Sequence, residues 1–307
     1  MARTAITVAS LLICTTELTF AFVAPRQHNS IAPYRPNIIV KYASASSNNE
    51  LHLLTFDLDD TIFPIDPVIQ DANSIMVQTL KSHGYNADND EIIAASKRIR
   101  KQVRERGEEI TYSDLRRGSI RCEMERLSTD LASDDVIEAV FNSWLDERQA
   151  SANRNLFPHI CSSLQSIRKQ YPSVVIGAIT NGRGNPFHMP DVAPYFDFCT
   201  SGEDDGVLPF RKPDRGIYEA ALRQFRVIMP DCNDIINWIH VGDDLANDVG
   251  ASAACGAKTI WLTSDNEKGE KGVGFWSTAT PAKQFVNKEI YALDGLIGAV
   301  EEILLNL

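Results

Sequence analysis

Asp57 and Asp59 stand two residues apart where the apolar run Leu51-His52-Leu53-Leu54-Thr55-Phe56 gives way to Asp57-Leu58-Asp59-Asp60-Thr61. Residues i and i+2 of an extended chain share a face, so both carboxylates can address one reacting atom if the chain stays extended through Leu58. Two unpaired carboxylates this close repel each other, and a cation, a phosphoryl group or a shared proton in the gap would relieve the repulsion. An Asp-rich turn in which Thr61 caps a helix accounts for the same five residues, so the pentapeptide alone leaves the chemistry open.

Similar polar endings recur downstream. Val174-Val175-Ile176-Gly177-Ala178-Ile179 runs into Thr180-Asn181-Gly182, and Ile235-Ile236-Asn237-Trp238-Ile239-His240-Val241 runs into Gly242-Asp243-Asp244, with Asn247-Asp248 following at helical spacing. Between them, Arg211-Lys212-Pro213-Asp214 precedes the helical pattern Ile217, Ala220, Ala221, Leu222, Phe225. Short β-branched runs, each followed by a helical segment, predict an α/β fold: a Rossmann-like parallel sheet with helices on both faces. Ligands of such sheets bind beyond the carboxyl ends of the strands, where these polar groups collect. Singly, Lys212 reads as a solvated loop lysine, Thr180-Asn181-Gly182 as a turn, and Asp243, Asp244 and Asp248 as caps and first-turn acids. The site disappears only if all of these readings hold together.

In order and spacing, Asp57-x-Asp59-x-Thr61, Thr180, Lys212 and Gly242-Asp243 with Asp248 resemble the four motifs of the haloacid dehalogenase superfamily, and specifically its Mg2+-dependent phosphatases. The resemblance covers roughly residues 51 to 265. It implies Asp57 as nucleophile and Asp59 as general acid and base, with Thr180, Asn181 and Lys212 on the phosphoryl oxygens. It further implies Mg2+ on the Asp57 and Asp243 side chains and the Asp59 backbone carbonyl, supported by Asp244 and Asp248. Dehalogenases of the superfamily lack an acid at the position of Asp59, because halide leaves without a proton, so its presence points to phosphoester hydrolysis through an aspartyl-phosphate. A sugar phosphomutase and a non-catalytic ligand-binding relative are the alternatives. The motif wording looks closest to bacterial phosphatases of flavin mononucleotide and of the ribitylaminouracil phosphate precursor of riboflavin. Asp60 stands where many relatives carry Gly and is expected to serve the turn.

Residues 66–150, between the first two motifs, read as helix throughout: Ile69 to His83, Asp90 to Arg106, Tyr112 to Leu127 and Asp134 to Arg148. An insert here resembles the family's helical C1 cap, which closes over the sheet edge on hinges near Phe63 to Pro67 and Ser151 to Phe157 and implies a small phosphorylated metabolite as substrate. Residues 50–65 and 151–307 are then the core. Two basic stretches lie in the insert, Lys97 to Arg106 and Arg116 to Arg126. One or two of these residues could hold a distal anionic group, and the rest read as a solvated helix face. Gly202 to Phe210 makes an unusually long approach to Lys212, Ser264 to Gln284 reads as a loop, and a helix is expected from Glu289 to Leu305.

Residues 1–49 differ in kind from the remainder. An uncharged stretch from Thr4 to Thr16, too short to span a bilayer, leads to Ala21-Phe22 and then a Ser- and Asn-rich segment without acids. The pattern is that of a removable targeting segment and resembles the two-part presequences of algal plastids, with mitochondrial import or secretion as alternatives. This segment holds four basic residues and one acid; since the whole chain carries −11, the remainder carries −14. A body that acidic excludes nucleic acid as a general electrostatic partner, and no membrane association is expected after presequence removal. The six cysteines include no C-x-x-C pair, which argues against a zinc or disulfide scaffold. Of the histidines, His188 is the one expected near the site, as a surface loop residue.

Overall fold

A computed structural model describes residues 50–129, 131–232, 236–263 and 282–306. The expected targeting segment and most of the expected loop from Ser264 to Gln284 lie outside the described residues. Among the described residues six strands form one sheet: β1 (Leu53–Phe56), β2 (Val175–Thr180), β3 (Phe198–Ser201), β4 (Trp238–Gly242), β5 (Lys258–Leu262) and β6 (Lys288–Ile290). Every pairing is parallel and the order is β3-β2-β1-β4-β5-β6. The order reverses at β1, and a reversal of this kind opens a crevice at the carboxyl edge. Phe56 is in register with both Ala178 and Val241, so the segments following β1, β2 and β4 leave the sheet side by side.

Alternation along each strand feeds two cores. Leu54, Phe56, Ile176 and Val241 pack on one face with α5 (Ile160–Gln170) and α8 (Leu296–Leu305), while Leu53, Val175, Ile179 and Trp238 pack on the other with α6 (Arg215–Ile228) and α7 (Ala251–Ala254). The sheet is covered on both faces, as the apolar runs require.

Four helices separate β1 from α5: α1 (Ile65–Ser82), α2 (Asn89–Glu105), α3 (Tyr112–Leu127) and α4 (Asp134–Arg154). They close around a hydrophobic cluster of their own that includes Met76, Leu80, Ile92, Ile120, Met124 and Phe141. Both ends of this insert differ from expectation. The first helix begins at Ile65 and the fourth continues to Arg154, so the expected hinge residues Ile65 to Pro67 and Ser151 to Arg154 are helical. Pro67 fits in the first turn, where a backbone N–H would have no helical acceptor anyway.

The C-terminal segment is also corrected. Instead of one helix from Glu289, Lys288–Ile290 forms the edge strand β6 on β5, and α8 begins at Leu296. The apolar spacing of Ile290, Leu293 and Leu296 suits a helix, but the open edge of β5 offers the first of these residues ladder hydrogen bonds instead.

Candidate active site

β1 ends at Phe56 and delivers Asp57 to the carboxyl edge, and β4 ends at Gly242 and delivers Asp243 beside it. A π-helical turn, Leu245–Gly250, opens with Asp244 as its cap, whose carboxylate accepts from Ala246 N at 2.8 Å and Asn247 N at 2.7 Å, and places Asp248 under the same edge. Lys212 arrives from the loop before α6. Its ammonium donates to Asp57 Oδ1 at 2.5 Å and to Asp248 Oδ1 at 2.7 Å, with 4% of the residue exposed. The other oxygen of Asp248 accepts from Asp244 N at 3.0 Å. Thr61 lies 3.3 Å from Asp243 Oδ1 and 3.5 Å from Asp57 Oδ2. Gly242 is required by this packing, because a Cβ there would come within 2.3 Å of Asp248 Cβ and 2.5 Å of its Oδ2.

Asp57, Asp243 and Asp248 each offer an oxygen, and these lie within 4.8 Å of one another. Burial pushes Asp57 up to about 8 against the attraction of Lys212, with Asp248 and Asp59 adding repulsion. Burial, then Asp248 and Asp57, push Asp243 well above the carboxylate range. Burial opposes ionisation of Asp248 too, but Lys212 and His240 outweigh it and hold its carboxyl below the usual value. Lys212 is likewise held above the ordinary lysine range, since Asp248 and Asp57 overcome the burial penalty. Three carboxylates, Asp57 and Asp248 buried and Asp243 partly so, face a single ammonium, and the mutual repulsion that raises two of them in an all-oxygen donor set fits a hard divalent cation such as Mg2+.

Thr180 is buried at the end of β2, adjoining Asn181 and Gly182. The Asn181 carboxamide accepts from Lys212 N at 2.6 Å and donates to Lys212 O at 3.0 Å, so its side chain pins the lysine loop. Asp60 takes the turn role expected of it, with a φ of 60° and its carboxylate receiving Ile65 N, the first amide of α1, at 3.1 Å.

Several neighbours escaped the sequence reading. Asp59 accepts a hydrogen bond at 2.7 Å from Arg148 of α4, an arginine only 3% exposed. The histidine beside the acids is His240 on β4, in place of His188, which is exposed. His240 Nδ1 lies 2.8 Å from Thr55 Oγ1 and its Nε2 3.5 Å from Asp248 Oδ1, and burial lowers its pKa. Glu203, in the long approach to Lys212, accepts from Tyr112 N at 2.6 Å, Ser113 N at 3.2 Å and Ser113 Oγ at 2.5 Å, capping α3 from the core. Nearby Arg211 donates to Ile110 O at 2.6 Å. Between the insert and the sheet edge lies a cavity of about 410 Å³, with Asp59, Asn181 and Gly182 at its core end and Arg100, Arg116 and Trp144 on the helices.

A carboxylate cluster at the reversal point of a parallel sheet, roofed by a helical insert, marks an enzyme of the open parallel α/β class that works beyond its strand ends. Residues 51–256 match the haloacid dehalogenase-like hydrolase family, and the chain belongs to that family. The family is one of hydrolases. The chain is 27% identical over 217 residues to the 5-amino-6-(5-phospho-D-ribitylamino)uracil phosphatase YigB of Escherichia coli (strain K12), covering 69% of this chain and 84% of that protein. The solved structure of a 2-haloacid dehalogenase from Pseudomonas syringae pv. Tomato DC3000 superposes with a TM-score of 0.59 at 22% identity, covering 82% of this chain and 99% of that one, a likeness of fold.

Proposed function

We propose that the chain is a Mg2+-dependent phosphatase that hydrolyses a small phosphomonoester metabolite through an aspartyl-phosphate on Asp57, with residues 66–150 acting as its cap. The observation that carries this reading is the bridge from Lys212 to both Asp57 and Asp248 with Asp243 alongside. A structural ion pair needs one carboxylate, whereas three gather here at a sheet edge whose neighbours Asp59, Asn181 and Gly182 line a cavity.

Asp57 attacks phosphorus while the ester P–O bond breaks, and Asp59 gives its proton to the leaving oxygen. Asp59 then takes a proton from the water that attacks the aspartyl-phosphate, releasing phosphate and restoring the Asp57 carboxylate. Thr180, Lys212 and the backbone N–H of Asn181 hold the phosphoryl oxygens, and the Asn181 side chain keeps Lys212 in place through the lysine's backbone. Asp57, Asp243 and the Asp59 carbonyl would hold Mg2+, with Asp244 and Asp248 supporting. The bound ion supplies positive charge that offsets the repulsion between an anionic ester and a carboxylate nucleophile.

The likeness to YigB puts the ribitylaminouracil phosphate first among compounds to assay, and the motif wording adds flavin mononucleotide, followed by sugar phosphates, phosphoglycolate and nucleotides. Plastid import with removal of residues 1–49 is part of the proposal, and the N-terminus of the protein recovered from the organelle tests it. The covalent route is tested by quenching turnover with borohydride, which reduces an acyl phosphate to the alcohol. A mass change confined to the peptide carrying Asp57 is expected. Sustained phosphate release with that peptide unaltered overturns the route.

A further inference from the structure

The cavity under the helical insert carries more positive charge than hydrolysis of one phosphate group calls for. Among the described residues lining it, Lys97, Arg100, Arg116, Arg148 and Arg183 are cationic and Asp59 alone is acidic. Asp59 already receives Arg148, and Glu203, which meets the start of α3, is taken up by the amides and hydroxyl there. Lys212 sits elsewhere, in the acid cluster, so the cavity's cations add to the charge that serves the reacting phosphoryl group.

One of these cations is built into place. Arg116 lies with its Cζ 4.5 Å from the centre of the Trp144 ring and donates to Asn73 Oδ1 at 3.2 Å, and the same oxygen accepts from Trp144 Nε1 at 3.0 Å. Its partners are thus a neutral ring and a neutral amide. Burial, and then Arg100, lower Arg116 to about 10, which leaves it charged at neutral pH. Arg100 is lowered as well, chiefly by burial. By contrast Arg98, Lys101, Arg104 and Arg106 of the same basic stretch are exposed, the solvated face that the sequence suggested.

Guanidinium groups donate five hydrogen bonds and accept none. Two of them turned towards one cavity therefore select a group rich in acceptors and negative charge. A neutral ring fits less well, because the aromatic faces that could stack on it already carry cations, Arg116 over Trp144 and Arg211 over Tyr112 at 4.8 Å. We propose that Arg100 and Arg116, with Lys97 at the rim, form a second anion subsite, so that the preferred substrate is a phosphomonoester carrying a carboxylate or a second phosphate at its far end. This inference rests on the phosphatase reading and selects within its substrate panel.

A matched set tests it with the full chain and Mg2+: glucose 6-phosphate with a neutral tail, 6-phosphogluconate with a carboxylate, and fructose 1,6-bisphosphate with a second phosphate. In the unaltered protein one or both of the two-anion esters should exceed glucose 6-phosphate in kcat/KM by at least about tenfold, and which one leads identifies the anion. Arg116→Gln, and separately Arg100→Gln, should cut that ratio, and Arg116→Lys should restore part of it. Equal turnover of all three esters, or a fall that leaves the ratio unchanged, overturns the subsite while the phosphatase reading stands. Hydrolysis of none of the three, nor of phenyl phosphate, overturns both.

Discussion

Replacing Lys212 with methionine asks how far one ammonium holds the acid cluster together. The side chain keeps an unbranched apolar stem, one atom shorter, and loses the charge that donates to Asp57 at 2.5 Å and to Asp248 at 2.7 Å. Only 4% of Lys212, 7% of Asp57 and 1% of Asp248 is exposed, so water cannot take over these contacts. Removing one partner of a buried ion pair costs roughly 3–5 kcal/mol, because the charge left behind is uncompensated. At roughly 2–4 °C per kcal/mol for a domain of this size, Lys212→Met should melt about 6–20 °C below the unaltered protein in the presence of a chelator. Mg2+ should then do more for the variant than for the parent. Three carboxylates without an ammonium bind a divalent cation more tightly, and a ligand of the folded state stabilises in proportion to RT ln(1 + [L]/Kd). Thermal melts with chelator and across a Mg2+ series read both effects, beside phosphate release, which should be lost. A melt in chelator within about 2 °C of the parent, or a smaller Mg2+ gain in the variant, refutes the reasoning.

Two further substitutions probe how the site is positioned. Gly242→Ala puts a Cβ within 2.5 Å of Asp248 Oδ2 and should displace that carboxylate, lowering kcat on the order of 100-fold; an unchanged kcat at saturating Mg2+ would show that Asp248 is free to move. Glu203→Ala removes three hydrogen bonds from the start of α3 and should cost roughly 1–3 kcal/mol. Hydrogen exchange should quicken at Tyr112 and Ser113 first, and exchange unchanged there would rule out the contact as a tie between the insert and the core.

The strand-end motifs were legible because each couples a buried apolar run to a polar break, and a parallel sheet sends all such breaks to one edge. Asp57, Thr180, Asp243 and Asp248 follow from that rule, and Lys212 follows once the family pattern is added. The partners of these residues were not legible. Arg148 resembles any other helix arginine in sequence, and only the packing of α4 above β1 carries it to Asp59, 89 positions away. His240 is hidden in an apolar run, whereas His188, in a loop of Gly, Asn and Pro, drew attention by sequence proximity alone. Asn181 was singled out because it adjoins a motif, but the two bonds its side chain makes to the Lys212 backbone depend on loop geometry that no spacing encodes. The basic stretches show the same limit: helical periodicity assigns Arg100 and Arg116 to their helices, but which charges face the cavity is decided by how α2 and α3 meet α1 and α4.

Phosphate release by the full chain and by Asp57→Asn, measured side by side over a Mg2+ titration with the phosphomonoester panel, addresses the proposed chemistry most directly. The unaltered protein should release phosphate only as Mg2+ is added, and the variant, folded to the same melting profile, should release none at any concentration. Equal release by the two proteins, or release undiminished by chelator, would contradict hydrolysis by an aspartate nucleophile in a cation-dependent site.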